Sequence, residues 1–259
     1  EISACLVGSE MCIRDRNYNI RGIIQMITAM ILAGGNGTRV GADRPKQFVE
    51  ILGKPILAYT VEIYQKNPNI NSIEIVCHKN WIDYVKNMVR LENLTKVKWI
   101  VEGGNTFMES VISGINELER SICQEDIVMI HYGAAPFTSQ EILNDSIKVC
   151  KKNRMSVSCT PCYQLLGSNE NGICSTKWIN RDEIIQICCP QSFKFSYLIE
   201  LYEEGKRKGI IEKVEPHITS LMYELGEKIY QSYGNQTNIK ITTKEDIELF
   251  KAIIISKQY

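Results

Sequence analysis

Leu32-Ala33-Gly34-Gly35-Asn36-Gly37-Thr38-Arg39, joined through five residues to Pro45-Lys46-Gln47-Phe48, is the stretch that decides the fold. Upstream of it, Ile27 to Ala33 is an apolar run of strand length. A strand thus runs straight into a loop with three glycines among four positions. Glycine lets successive backbone N–H groups turn toward one anion without a Cβ in the way. Arg39 and Lys46 add two cations to the same loop, an arrangement suited to a polyphosphate. A P-loop is excluded, because no G-x-x-x-x-G-K-[ST] string occurs. A dinucleotide fingerprint is matched only in part: Gly35 and Gly37 fit, Val40 stands where the third glycine belongs, and Gly41 comes one residue late. A dinucleotide-dependent oxidoreductase therefore ranks last, and it leaves Lys46 without a task. A plain strand-to-helix turn explains the glycines but not the Arg and the Pro-Lys-Gln beside them.

Downstream, strand and helix signals alternate. Helical spacing covers Ile56 to Gln65, Trp81 to Leu91, Thr106 to Leu118 and Ser139 to Cys150. Strand-like runs cover Ser72 to Cys77, Val97 to Val101, Asp126 to His131 and Ser156 to Pro161, with a turn at Glu102-Gly103-Gly104-Asn105. That alternation predicts an α/β fold, a mostly parallel sheet with helices on both faces. Right-handed crossovers then bring the strands' carboxyl ends to one edge, where ligands bind in open sheets. After Pro161 the regularity falls. Gln164 to Lys177 is polar and reads as an exposed excursion, and Phe195 to Lys206 as a helix. Ile229 to Tyr233 and Asn238 to Ile241 read as short strands, and Thr242-x-x-Glu245 as a capping box opening a helix to about Ile255.

Thirty basic residues balance thirty acidic ones, so no global field draws in nucleic acid or an anionic membrane. No apolar run approaches the ~20 residues of a membrane span. Ten cysteines are scattered along the chain, including Cys159-x-x-Cys162 and the adjacent Cys188 and Cys189. A zinc site needs a second ligand pair at a suitable spacing, so these read as buried free thiols in a reducing cytosol, and a cytoplasmic location follows. Residues 1–25 are read as a non-native or disordered leader. They lack the pattern of a signal peptide and resemble translated sequencing-adapter sequence. One domain is expected over residues 26–259, with an arm or acceptor-side excursion at about 162–188.

At this point the residues carry a resemblance. L-A-G-G-x-G-x-R followed by P-K-Q-F resembles the cytidylyltransferase family that acts on 2-C-methyl-D-erythritol 4-phosphate and ribitol 5-phosphate. Three further segments match in order: Glu102-Gly103-Gly104 with Ser110-Val111, then Arg181 before Pro190-Gln191-Ser192-Phe193, then Asn238-Ile239-Lys240-Ile241-Thr242. L-A-G-G and P-K-Q-F look closer to the ribitol branch. The resemblance implies a Rossmann-like nucleotidyltransferase fold (GT-A-like, a three-layer sandwich) with a protruding arm that joins a homodimer. It implies transfer of CMP from CTP to a polyol or sugar phosphate, with pyrophosphate leaving and Mg²⁺ as cofactor. By similarity Leu32, Ala33, Gly34, Gly35, Gly37, Gly104, Asn105 and Ser110 bind the nucleotide. Arg39 and Lys46 stabilise phosphate charge, and Arg181 and Lys240 hold the acceptor phosphate.

The family's H-D-x-x-R-P reads here His131-Tyr132-Gly133-Ala134-Ala135-Pro136. Tyr132 stands where a metal-binding Asp is expected, and Ala135 where an Arg is. A phenol is a poor Mg²⁺ ligand beside a carboxylate, so no protein metal ligand is assigned. Phe107, Cys162-Tyr163-Gln164 and His217-Ile218-Thr219-Ser220 also depart from the pattern. A nucleotide-binding relative with little turnover stays open as the alternative. His131 reads equally well as a ligand contact or a satisfied strand-end histidine, and His217 receives no role.

Overall fold

The computed structural model describes residues 25–35 and 44–256. Residues 1–24, 36–43 and 257–259 lie outside it, so the readings of the leader, Gly37 and Arg39 fall outside the described residues. In chain order come β1 (Ile27–Ala33), the hairpin β2 (Glu50–Ile51) and β3 (Lys54–Pro55), α1 (Ile56–Lys66), β4 (Ser72–Cys77), α2 (Ile82–Leu91) and β5 (Val97–Glu102). Then follow α3 (Phe107–Leu118), β6 (Ile127–Tyr132), α4 (Gln140–Asn153) and β7 (Met155–Pro161). Beyond Pro161 lie the hairpin β8 (Leu166–Gly167) and β9 (Trp178–Ile179), the long β10 (Ile185–Lys194), α5 (Phe195–Arg207), α6 (Ile218–Glu224), β11 (Gln231–Tyr233) and α7 (Lys244–Ser256).

Seven strands form the central sheet in the order β11-β7-β10-β6-β1-β4-β5. β1 pairs in parallel with both β4 and β6, β4 with β5, and β11 with β7, while β10 runs antiparallel between β6 and β7. The sheet is thus mainly parallel, as the alternating sequence pattern requires. The order reverses at β1: the chain builds outward through β4 and β5, then returns to lay β6 on β1's other side. Open α/β sheets bind ligands beyond the carboxyl ends of strands at such a switch.

Alternation along β1 sends Ala29, Ile31 and Ala33 to one face and Met30 and Leu32 to the other. The first face packs against Leu57, Val61, Val85, Met88 and Leu143 of α1, α2 and α4. The second packs against Val111, Ile115, Leu198 and Leu221 of α3, α5 and α6. The result is a three-layer sandwich. A smaller cluster of Ile51, Ile56, Ala134, Ile241 and Phe250 ties α7 to the β2–β3 hairpin, α1 and the loop after β6.

Several details differ from the sequence reading. Residues 238–241 form no strand. The N–H of Ile241 donates to Ala134 O (2.8 Å) and Asn238 Nδ2 to Cys189 O (2.6 Å), so the segment is pinned without joining a sheet. The capping box closes one residue later than Thr242-x-x-Glu245. Asp246 Oδ2 accepts from the N–H groups of Thr242 (2.7 Å) and Thr243 (2.9 Å), and Asp246 N donates to Thr243 Oγ1 at 3.3 Å. The excursion after Pro161 carries the β8–β9 hairpin and ends before residue 185, where β10 rejoins the sheet beside β7. Cys159, Cys162 and Cys189 are buried free thiols.

Candidate active site

A cleft of about 390 Å³ opens where β1, β5 and β6 end. Leu32, Gly34 and Gly35 leave β1 to form one wall. Their path is held by Gln47, a buried side chain in the short 3-10 turn Lys46–Phe48. Its Nε2 donates to the carbonyls of Ala33 (2.6 Å) and Gly35 (2.8 Å). Ala33 itself does not line the cleft; its carbonyl is the anchor.

The second wall is the start of α3. Gly104, Asn105, Thr106, Phe107 and Ser110 all line the cleft. Thr106 caps the helix, its side chain accepting from Glu109 N, and Glu109 Oε2 reaches back to Asn105 N at 2.6 Å. That reciprocal pair turns the helix's positive end toward the cleft, where a phosphate is favoured. A Cβ on Gly104 would lie 2.2 Å from Glu109 Cβ, so only glycine lets the chain pass the cap here. Ser110 Oγ donates to Thr106 O at 2.9 Å and is already turned onto the helix backbone.

The cations come from opposite ends of the chain. Lys46 and Lys240 both line the cleft. Lys46 Nζ donates to Ile241 O at 2.6 Å, which places it one residue from Lys240 along the backbone. Lys240 Nζ sits 3.8 Å from the centroid of the Tyr132 ring, a cation–π contact worth ~0.5–2 kcal/mol depending on solvation. Tyr132 O–H lies 3.1 Å from His217 Nδ1, and His217 Nε2 lies 3.7 Å from a Glu215 carboxylate oxygen. The carboxylate favours the proton on Nε2, so Nδ1 is the acceptor and the phenol donates. Burial, helped by Lys240, lowers the His217 pKa, and burial pushes the Tyr132 phenol well up, so both are neutral near pH 7. Phe107 packs edge-on to His217, with ring centroids 5.4 Å apart.

Tyr132, His217 and Lys240 are shared with a second cleft of about 330 Å³ on the far side. Its other walls are mostly amides and small polar groups: Gln186, Asn235, Gln236, Asn238 and Thr160. Arg181 lines neither cleft. It lies on the arm, exposed, with Nη1 donating to Tyr163 O at 2.9 Å. His131 turns inward: its Nε2 is 3.0 Å from Ala135 O, and burial lowers its pKa to about 4, which makes it a neutral core residue. Sequence reading named Lys46 and Lys240 but missed Gln47, His217 and Thr242. Gln47 was visible inside Pro-Lys-Gln-Phe, and Thr242 inside Asn-Ile-Lys-Ile-Thr. His217 carried no local signal.

The described residues lining the first cleft include no carboxylate, and no group of three metal-ligating side chains occurs among the described residues. Mg²⁺ prefers anionic oxygen, so these side chains do not fit an ion held by the protein. No described helix is long and apolar enough to cross a membrane.

Comparison with known proteins agrees with this geometry. The family described as IspD, 2-C-methyl-D-erythritol 4-phosphate cytidylyltransferase, matches residues 27–256. A ribitol-5-phosphate cytidylyltransferase of Lacticaseibacillus paracasei is 33% identical over 90% of this chain and 100% of its own. A 2-C-methyl-D-erythritol 4-phosphate cytidylyltransferase of Clostridium novyi is 36% identical over 87% of this chain and 95% of its own. Among solved structures, the 4-diphosphocytidyl-2C-methyl-D-erythritol synthase of Anaerococcus prevotii superposes with a TM-score of 0.72, at 24% identity, over 89% of this chain and 96% of that one.

Proposed function

This chain belongs to the 2-C-methyl-D-erythritol 4-phosphate cytidylyltransferase family, and on that premise we propose that it transfers CMP from CTP to a polyol phosphate, releasing pyrophosphate. The observation that supports this reading best is the meeting of Lys46 and Lys240 across Ile241 at the mouth of the glycine loop. A phosphate oxygen of the acceptor attacks the α-phosphorus of CTP in line, and the bond to the β-phosphate oxygen breaks. That chemistry asks the protein for alignment and positive charge rather than for a covalent intermediate. Leu32, Gly34, Gly35, Gly104, Asn105 and Ser110 would hold the nucleotide, and Lys46 would meet its phosphates. Lys240, on the wall between the two clefts, would meet the acceptor phosphate. Arg39 and Gly37 complete the loop on the same reading. The absence of carboxylates from the described lining favours Mg²⁺ arriving with the triphosphate as its counter-ion, with Tyr132 in place of a protein ligand.

The arm supports a homodimer. Leu165, Ile173 and Trp178 are 91%, 89% and 79% exposed there, apolar side chains that a second copy would cover. A second copy packed against the arm is also the arrangement in which Arg181, remote from its own clefts, would reach an acceptor. A cytoplasmic site of action fits the free thiols. The names of the relatives favour transfer over binding without turnover.

The test is pyrophosphate release from CTP and Mg²⁺, with ribitol 5-phosphate and 2-C-methyl-D-erythritol 4-phosphate supplied separately. Release with one of them is expected, and Lys46→Ala should slow it by roughly 10²–10³-fold, the scale of losing one charge-stabilising group. Stabilisation by CTP with no release from either acceptor would overturn the reading.

A further inference from the structure

Tyr132 occupies the wall between the two clefts and lines both of them. Its ring carries Lys240 Nζ at 3.8 Å, and its hydroxyl meets His217 Nδ1 at 3.1 Å. His217 is held in turn by Glu215 at 3.7 Å and by the edge of Phe107. The backbone of residues 238–242 reaches this wall without a strand's ladder to fix it, through Asn238 to Cys189 O and Ile241 N to Ala134 O. Between those two anchors the Lys240 side chain is long and rich in rotamers, and holding such a chain in one pose costs entropy. An aromatic face below the ammonium narrows that choice, and a ring that cannot rock narrows it further.

We propose that Tyr132 and His217 are paired positioning residues that hold the Lys240 ammonium at the wall shared by the two clefts, where nucleotide and acceptor phosphates would meet. The inference rests on the cytidylyltransferase reading and deepens it. The phenol does not take part in the chemistry. It orients the ammonium through its face, and His217 locks the ring by accepting its O–H. The electrostatics are consistent: a neutral His217 accepts from the phenol, whereas a protonated one would have no lone pair at Nδ1 and would add a like charge beside Lys240. The pair therefore works only while His217 stays neutral. The groups facing it are Tyr132 from β6, Lys240 from the 238–242 segment and Glu215 from the turn before α6, with Phe107 of α3 uncharged.

The variants separate the two contacts. Tyr132→Phe keeps the ring and loses the link to His217, and Tyr132→Leu loses both. His217→Ala removes the acceptor, and His217→Asn returns one through its amide. At saturating CTP, Tyr132→Phe and His217→Ala should each lower kcat by about 3- to 10-fold, the scale of one hydrogen bond. Tyr132→Leu should lower it by roughly 30-fold or more. The KM for CTP should move less than about 3-fold throughout, and His217→Asn should run faster than His217→Ala. A purely structural role would instead lower CTP affinity and thermal stability together.

A second readout is independent of turnover. The ε-methylene protons of Lys240, assigned by their loss in Lys240→Arg, should be shifted upfield by the ring current in the wild type and in Tyr132→Phe, and return to the ordinary lysine position in Tyr132→Leu. An unshifted wild-type resonance, or one that Tyr132→Leu leaves in place, would overturn the pairing whatever the kinetics. An intact shift with wild-type protein that releases no pyrophosphate from either acceptor would overturn the functional reading, and with it the role given to the pair.

Discussion

Glu74 lies in the middle of β4, between Met30 of β1 and Trp99 of β5 in register, and it is fully buried. Both carboxyl oxygens lack a hydrogen-bond partner among the described residues. Burial, with Glu117 nearby, raises its pKa well above the ordinary value, so the side chain is carried as the neutral acid. The sign of the linkage is then fixed. Above about pH 4.5 the unfolded chain releases this proton and the folded one keeps it, so stability falls as pH rises toward the folded pKa. Glu74→Gln removes the ionisation. Its melting temperature relative to wild type should be higher at pH 7.5 than at pH 4.5, by roughly 2–4 °C for each kcal/mol of linkage in a chain of this size. Equal differences at the two pH values, measured by calorimetry, would reject the account. The same carboxyl, together with Met30, explains a small residue on α3: a Cβ at Gly114 would stand 2.6 Å from Met30 Cε and 2.8 Å from Glu74 Oε2. Nothing in the sequence announced this acid, since a lone Glu in an alternating strand reads as solvent-facing. Gln47 stood in plain view inside Pro-Lys-Gln-Phe, but its role appears only once Ala33 and Gly35 are seen to offer it their carbonyls.

Elements were legible in proportion to how strongly local pattern and burial agreed. β1 carries an unbroken apolar or β-branched run and β4 a β-branched one interrupted by Glu74, and both match the sequence reading residue for residue. β10 was masked by Pro190, which argues against a strand interior. The sheet accommodates it with a register shift between Ile187 and Gln191 against β7, so the strand resumes beyond the proline. α6 spans only seven residues, too few for helical spacing to declare itself. The Asn238 to Ile241 run alternates like a strand but finds no sheet edge to join, and it is held instead by the Asn238 side chain, the Ile241 N–H and the Lys46 contact to Ile241 O. That makes the start of α7 important to the site. Asp246 gathers the N–H groups of Thr242 and Thr243, next to the carbonyl that holds Lys46. Asp246→Ala should cost about 1–2 kcal/mol of stability. It should also weaken CTP binding in calorimetric titration, a combination that a cap remote from the cleft would not produce.

At the scale of the whole molecule, the arm is where the proposed homodimer would be joined. Its exposed Leu165 and Trp178 sit on the hairpin, away from both clefts. Replacing both with Ser should shift the protein toward monomer at micromolar concentration in sedimentation velocity, with CTP affinity changed by less than about 3-fold. An unchanged sedimentation coefficient would place any interface elsewhere. The architecture itself was readable because alternating strands and helices admit few topologies, whereas the partner that the homodimer proposal gives the arm would lie on a second chain that no single sequence displays.

The contact between Lys46 and Ile241 has one more implication, for the order in which the protein comes into being. Domains assemble broadly from their amino ends during synthesis, and this link closes a loop of almost two hundred residues. A nascent chain can complete β1, its glycine turn and most of the sheet while Lys46 still waits for a carbonyl that the ribosome has not yet made. Completion of the cleft thus arrives as a late event in the life of each molecule, and an unfinished polypeptide, however well folded its first half, holds only part of its lining.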